Sequence, residues 1–374
     1  MDDTYLIITG DFVKTGGMDR ANYALADYLA RQGATVHLVA CRVDAALLAY
    51  PNVQFHRVPK PANSYLLAGP LLDYIGQKVA QQVTKSGGKV IVNGGNCLWR
   101  GAYNWVHYVH AVYGQPITGS WLRRLKQKLD RWQNRRTERH AFHKANLLLA
   151  NSQRTKADLS QHFAIPDAKI AVAYLGVEAE IFYPPTQAQR ADLRQKMGWS
   201  NTPVLLFVGD PSDHRKGFNT VAQAWRQLQQ QSTSNGTTWP VQLAIAGANK
   251  GKIDLAALGM IDLGFRRDLA MVLQAADGLV SPTRYESYGL GVHEALCSGL
   301  PAIVAATAGV AERYTAPLTD LCLNDANNPD ELAIILQRWY NAQDYYRQEA
   351  LILSEQLRQR TWDVMAAEMV QIME

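Results

Sequence analysis

Short apolar runs alternate with amphipathic stretches along both halves of the chain, the pattern of parallel sheets covered by helices. In the first half, Tyr5–Thr9 reads as a buried strand and Gly10–Gly17 as the loop that follows. A helix from Met18 to Gln32 comes next. Ala24, Leu25, Tyr28 and Leu29 give it one apolar stripe, and Gly33 stands where a helix C-terminus favours a left-handed residue. Val36–Ala40, Lys89–Val92, Trp105–Val109 and Leu147–Ala150 are the further strands expected. Around Leu175-Gly176-Val177 the alternation relaxes into Phe182-Tyr183-Pro184-Pro185, which reads as a linker. The pattern restarts with strand Val204–Val208, a helix over Thr220–Gln230, a polar loop over Ser232–Thr238, and strands Val241–Ala246 and Gly278–Ser281. A helix over Gly291–Cys297 stops at Gly299 with Pro301 beyond it, and strand Ala302–Ala305 follows. Asp330–Glu374 reads as helical with a break around Arg360–Trp362. Two similar α/β domains with a cleft between them is the architecture this pattern predicts.

Composition narrows the picture. A length of 374 residues suits two domains, and an apolar fraction of 47% excludes a disordered chain. The longest apolar runs, such as Val204–Val208, fall far short of the roughly 20 residues a membrane-spanning helix needs. Tyr5–Ile8 is too short for the apolar region of a signal peptide. Cys41, Cys97, Cys297 and Cys322 lie far apart, neither a disulfide framework nor a zinc pattern, and suit a reducing cytoplasm.

The net charge of +5 is local. Residues 121–144 hold nine Lys and Arg against Asp130 and Glu138, so this stretch carries +7 and the rest of the chain −2. A whole-surface nucleic-acid binder is thereby disfavoured. The stretch also repeats Trp121, Leu122, Leu125, Leu129 and Trp132 at helical spacing. One reading packs that stripe on its own domain. The other lays a basic amphipathic face on anionic lipid, a peripheral contact at the inner membrane surface.

The most specific constellation runs from Pro282 to Pro301. Strand Leu279–Ser281 delivers Glu286 to the carboxyl end of a sheet, where open α/β folds bind ligands. Gly289 and Gly291 then let the backbone approach a ligand at a helix N-terminus, where N–H groups and the helix dipole favour an anion such as pyrophosphate. Glu294 is expected in the first turn of that helix. Two carboxylates flanking a phosphate cradle can each accept paired hydrogen bonds from vicinal hydroxyls. A second loop, Gly209–Gly217, places His214, Arg215 and Lys216 after strand Val204–Val208, where cations can hold a diphosphate as it leaves. The same residues also read as a solvated turn.

The Pro282–Pro301 string resembles the donor-site signature of retaining glycosyltransferases of the GT-B fold, family 4 above all, in which two glutamates eight positions apart bracket a glycine-rich turn. Gly16-Gly17 before the first helix is similar to that family's N-terminal loop, which implies that they contact the donor, and Leu175-Gly176-Val177 with Phe182 and Pro184 is similar to its interdomain linker. Ala246-Gly247, Gly264 and Ala275-Ala276-Asp277 fit in order. The resemblance implies two Rossmann-like domains facing a central cleft: 1–176 on the acceptor side, 177–355 for the nucleotide sugar, and 356–374 as a helix crossing back to the first domain. It implies a nucleotide-diphosphate-sugar donor, a glycan or lipid-linked acceptor, retention at the anomeric carbon, and no metal. Lys216 and Arg215, with backbone N–H groups around Tyr288, Gly289 and Leu290, would hold the departing diphosphate. Glu286 would orient donor-sugar hydroxyls, Glu294 the ribose, and Phe265 would lie near the base. Asp210 departs from the family's usual Arg, with Arg215 next in line to supply the guanidinium. The family's strand-end histidine matches His110 better than His107, which strand alternation puts on the opposite face.

No dinucleotide fingerprint, Walker loop, nucleophile elbow or Asp-x-Asp metal motif is present. Three other readings stand beside the transferase: a GT-B sugar-nucleotide epimerase, a non-catalytic nucleotide-sugar-binding or scaffolding protein, and a membrane-surface adaptor built on the basic stretch.

Overall fold

A computed structural model describes residues 3–114, 116, 117 and 119–374. It divides into two compact units, Met1–Gly176 with Trp362–Glu374, and Val177–Thr361.

The N-terminal unit contains β1 (Thr4–Ile8), β2 (Asp11–Phe12), β3 (Thr35–Ala40), β4 (Arg42–Val43), β5 (Val53–Arg57), β6 (Lys89–Asn93), β7 (Tyr103–Val106), β8 (Leu147–Ala150) and β9 (Ile170–Val172). Seven of these form one parallel sheet in the order β5-β3-β1-β6-β7-β8-β9, and β2 pairs with β4. Its helices are α1 (Gly17–Arg31), α2 (Ala45–Leu48), α3 (Tyr65–Lys85), α4 (Trp121–Lys144) and α5 (Gln153–Phe163). Leu6, Ile7 and Ile8 are fully buried because helices cover both faces of a parallel sheet, and this is why β1 reads as an unbroken apolar run. β7 ends at Val106, not Val109: Val106 pairs with Ala150, the last residue of β8, and no ladder remains beyond it. In α4, Glu138, Ala141 and Phe142 are buried, whereas the apolar stripe nearer its start is exposed and does not pack on its own unit.

The C-terminal unit contains β10 (Val204–Val208), β11 (Gln242–Ala246), β12 (Ile261–Gly264), β13 (Gly278–Ser281), β14 (Ala302–Ala305) and β15 (Cys322–Leu323) in a parallel sheet ordered β12-β11-β10-β13-β14-β15. Helices α6 (Gln187–Lys196), α7 (Phe218–Ser234), α8 (Leu269–Ala275), α9 (Leu290–Cys297), α10 (Pro329–Asn341) and α11 (Gln343–Leu357) accompany it. α7 runs through the first part of the expected polar loop: Thr233 and Ser234 hydroxyls donate to the carbonyls of Gln229 and Gln230, both at 2.9 Å, which lets polar residues remain helical.

The last helix, α12 (Trp362–Met373), belongs to the N-terminal unit. Met365, Ala366, Met369 and Met373 are buried, and Arg31 of α1 grips Asp363 through two bonds of 2.5 and 3.1 Å. The crossing starts at Trp362 and not at residue 356, because α11 continues to Leu357. Buried Leu353 and Leu357 and the 2.6 Å bond from Ser354 to the Cys297 carbonyl hold it in the C-terminal unit.

Asp277 explains the Ala275-Ala276-Asp277 motif. Its carboxylate accepts from Arg190 at 2.6 Å, Arg194 at 2.8 Å and the Val204 amide at 2.8 Å, tying α6 to the starts of β10 and β13. Asp277→Ala would leave two guanidinium groups short of their anion, and we expect a loss of about 3–5 kcal/mol in chemical denaturation. A denaturation midpoint like that of the parent would show that water replaces the carboxylate there.

Candidate active site

In the C-terminal unit the strand order reverses between β10 and β13, the place beyond whose carboxyl ends open α/β sheets bind ligands. The loops leaving these two strands carry both charged motifs. After β10, Asp210 Oδ1 accepts from the Ser212 amide at 2.9 Å and its hydroxyl at 2.6 Å, so Asp210 shapes the turn. Asp213 Oδ1 accepts from the Arg215 amide at 2.9 Å and starts a single 3-10 turn over His214–Lys216. Gly217 follows with φ +74°, and a Cβ there would stand 2.0 Å from the Pro282 carbonyl oxygen. Only glycine lets the two loops meet at that point. The Arg284 amide donating to the Arg215 carbonyl at 2.8 Å joins them again.

These joints bring Arg215, Lys216 and Glu286 together. Glu286 Oε2 accepts from Lys216 Nζ at 3.0 Å and from Arg215 Nη1 at 3.2 Å; Oε1 takes no partner among the described residues. Burial by itself would raise the Glu286 pKa. The charges and hydrogen bonds of Lys216 and Arg215 outweigh it and hold the carboxyl below its usual range, so it is ionised at neutral pH. Gly289, at φ +110°, is the cap just before α9, and its Cβ position lies 3.3 Å from Glu286 Cγ, so the glycine-bent turn packs directly on the charged trio.

Tyr288 and Leu290 are buried, and the Tyr288 hydroxyl pairs with His293 Nδ1 at 2.9 Å. Glu294 is the fifth residue of α9, in its second turn and not its first, because the helix starts at Leu290. It is only 4% exposed. Phe265 is 69% exposed and lines a cavity of about 250 Å³ with Gly209, Asp210, Gly247, Lys250 and Arg266, at the carboxyl ends of β10–β12. Gly209 links this cavity to the trio, since the stem of Lys216 packs against it, with Cγ 3.3 Å from the Gly209 Cβ position.

Gly16, Gly17 and His110 belong to the N-terminal unit. Gly16 precedes α1 and Gly17 is its first residue. His110 lies beyond the end of β7, so strand alternation does not govern it. Its amide donates to Glu138 Oε2 at 3.0 Å, its ring Nδ1 pairs with Glu138 Oε1, and Arg135 Nε donates to its carbonyl at 3.2 Å. Both His110 and the buried Glu138 line a cavity of about 480 Å³ with Asp73, Asn96, Asp130, Gln133 and Asn134 among its walls. Sequence reasoning counts Glu138, the partner of His110, only as one acid in a basic stretch; nothing in a separation of 28 residues marks the pair. His107 is buried beside Trp105, ring centroids 4.3 Å apart, and burial pushes its pKa down to about 3, the state of a neutral core imidazole.

Two family models cover most of the chain: Glycosyltransferase Family 4 over residues 15–181 and Glycosyl transferases group 1 over residues 202–342. The chain is a group 1 glycosyltransferase family member. Its sequence is similar to a D-inositol 3-phosphate glycosyltransferase of Corynebacterium aurimucosum, 26% identical over 46% of this chain and 44% of the relative. Matches to the curated relatives of this transferase family thus span about half of their length. Its fold is that of sucrose-phosphate synthase from Thermosynechococcus elongatus, with a TM-score of 0.73, 18% identity, and 100% and 98% of the two chains covered. HepE of Anabaena in complex with UDP-glucose has the same GT-B fold at a TM-score of 0.69 and 16% identity, covering 99% of both chains.

Proposed function

We propose that this glycosyltransferase family member moves a hexosyl group from a nucleotide-diphosphate sugar to a glycan or lipid-linked acceptor, with retention at the anomeric carbon. The observation that carries this reading is the sharing of one carboxylate oxygen by Lys216 and Arg215 at the sheet's switch point. Two cations held on a single anion are pre-aimed donors for a second, larger one. As the anomeric C–O bond breaks, its electron pair passes to the diphosphate, which Lys216, Arg215 and the amides at the start of α9 hold. The acceptor oxygen bonds to the anomeric carbon on the face being vacated, and its proton passes to a diphosphate oxygen. Glu286 then serves twice, steadying both cations through Oε2 and accepting a sugar hydroxyl through Oε1. Glu294 takes the ribose, and the cavity beside Phe265 the base. The binding of UDP-glucose by HepE supports a uridine donor of this class. His110, held by Glu138 beside the cavity of the N-terminal unit, acts on the acceptor side. The reaction takes place in the cytoplasm, with protein cations in the part a divalent metal plays elsewhere.

A thermal-shift panel of UDP-, GDP- and ADP-sugars tests the donor class, because a ligand at about 100 times its Kd stabilises the native state by about 2.7 kcal/mol. We expect one nucleotide to stand out, and its sugar to appear on an added acceptor with the donor's anomeric configuration by NMR. Donor binding without transfer to any glycan or lipid acceptor would favour the binding-protein reading. Donor isomerisation without an acceptor would favour an epimerase.

A further inference from the structure

Helix α4 has an exposed apolar stripe that its own unit leaves uncovered. Trp121 is 72% exposed, Leu122 60%, Leu125 49%, Leu129 56% and Trp132 59%. At 3.6 residues per turn these five side chains fall within about 100° of arc, and the two tryptophans stand about 16 Å apart along the axis. Contiguous exposed apolar surface of this kind marks an interaction site. Its flanks specify the partner. Arg124, Lys128 and Arg135 follow one edge of the stripe and Lys126 the other; all four are exposed. Arg136 lies over the Trp132 ring, its guanidinium carbon 5.2 Å from the centroid.

We infer that α4 docks the protein on an anionic phospholipid bilayer, lying in the plane of the interface. Tryptophan rings favour the headgroup level, leucines the acyl boundary beneath it, and Lys and Arg the negative surface. A nucleic acid would satisfy the cations but give the five apolar side chains nothing to enter. Among the described residues no helix is long and apolar enough to cross a membrane, so this contact would be peripheral. Asp130 and Asn134, on the other side of the same helix, line the cavity beside His110. The inference does not depend on the transferase reading, since vesicle binding is measured without donor or turnover.

The test is co-sedimentation of the full chain with phosphatidylcholine vesicles, with and without phosphatidylglycerol. We expect pelleting with the anionic vesicles that weakens as salt rises. Trp121→Ala/Trp132→Ala should weaken it roughly tenfold or more, and Arg124→Glu/Lys128→Glu by a larger factor. All four positions are exposed, so an unchanged melting temperature verifies folding. No pelleting of the parent, or equal pelleting of parent and both variants, would overturn the proposal. So would a parent dimer that Leu125→Glu converts to monomer, because the stripe would then cover a second copy of the chain.

Discussion

Lys216→Ala is expected to lower kcat by roughly a hundred- to a thousandfold, the usual cost of removing one donor aimed at developing charge. KM for the donor should change much less. A diphosphate carries its full charge only as the sugar departs, so a cation at that position contributes more in the transition state than in the bound donor. The structure gives two reasons why the loss would not be structural. Arg215 still reaches Glu286 Oε2 at 3.2 Å, so the carboxylate keeps a partner. The turn itself is set by Asp213 and by the Gly217–Pro282 contact, neither of which uses the Lys216 side chain. Lys216→Arg should recover only part of the rate, because a planar fork does not replace a compact ammonium at this distance. Steady-state kinetics with the stabilising donor reads both parameters; turnover of Lys216→Ala close to the parent's would remove Lys216 from the leaving-group role.

How much of this was legible beforehand depended on burial. β1, β10, β11 and β13 sit inside their sheets, so their central residues are apolar on both faces and stand out as runs. β5, β9 and β12 are edge strands with partly exposed, mixed residues such as Val53-Gln54-Phe55-His56-Arg57, and the pattern gave no comparable signal. α3 was hidden by Gly69, Pro70 and Gly76, residues that usually end a helix. In the site, Lys216, Arg215 and Glu286 were each visible as chemistry placed after a strand. Their convergence on one oxygen was not, because 70 residues separate the lysine from the glutamate and only the strand order brings β10 beside β13. The stripe on α4 shows the opposite limit. Helical spacing located its five residues, but whether they face a core or solvent depends on what packs against the helix, which no local pattern contains.

Glu294→Gln is expected to weaken donor binding roughly 10- to 100-fold, the range lost when a charged acceptor of hydrogen bonds becomes neutral. The change keeps the side chain's shape, so α9 should keep its packing even though Glu294 is nearly fully buried. Removing a buried charge can also cost stability, and a second comparison separates the two effects. If the carboxylate grips vicinal ribose hydroxyls, a 2′-deoxyribose analogue of the donor should bind the parent more weakly than the natural donor does. In Glu294→Gln that difference should shrink, because the variant has already lost the interaction the analogue lacks. The coupling in this cycle isolates the contact from any general loosening of the helix. Calorimetric titration of both proteins with both ligands provides the four affinities. A variant that discriminates against the deoxy analogue as strongly as the parent does would place the ribose elsewhere and leave Glu294 as a buried structural charge of α9.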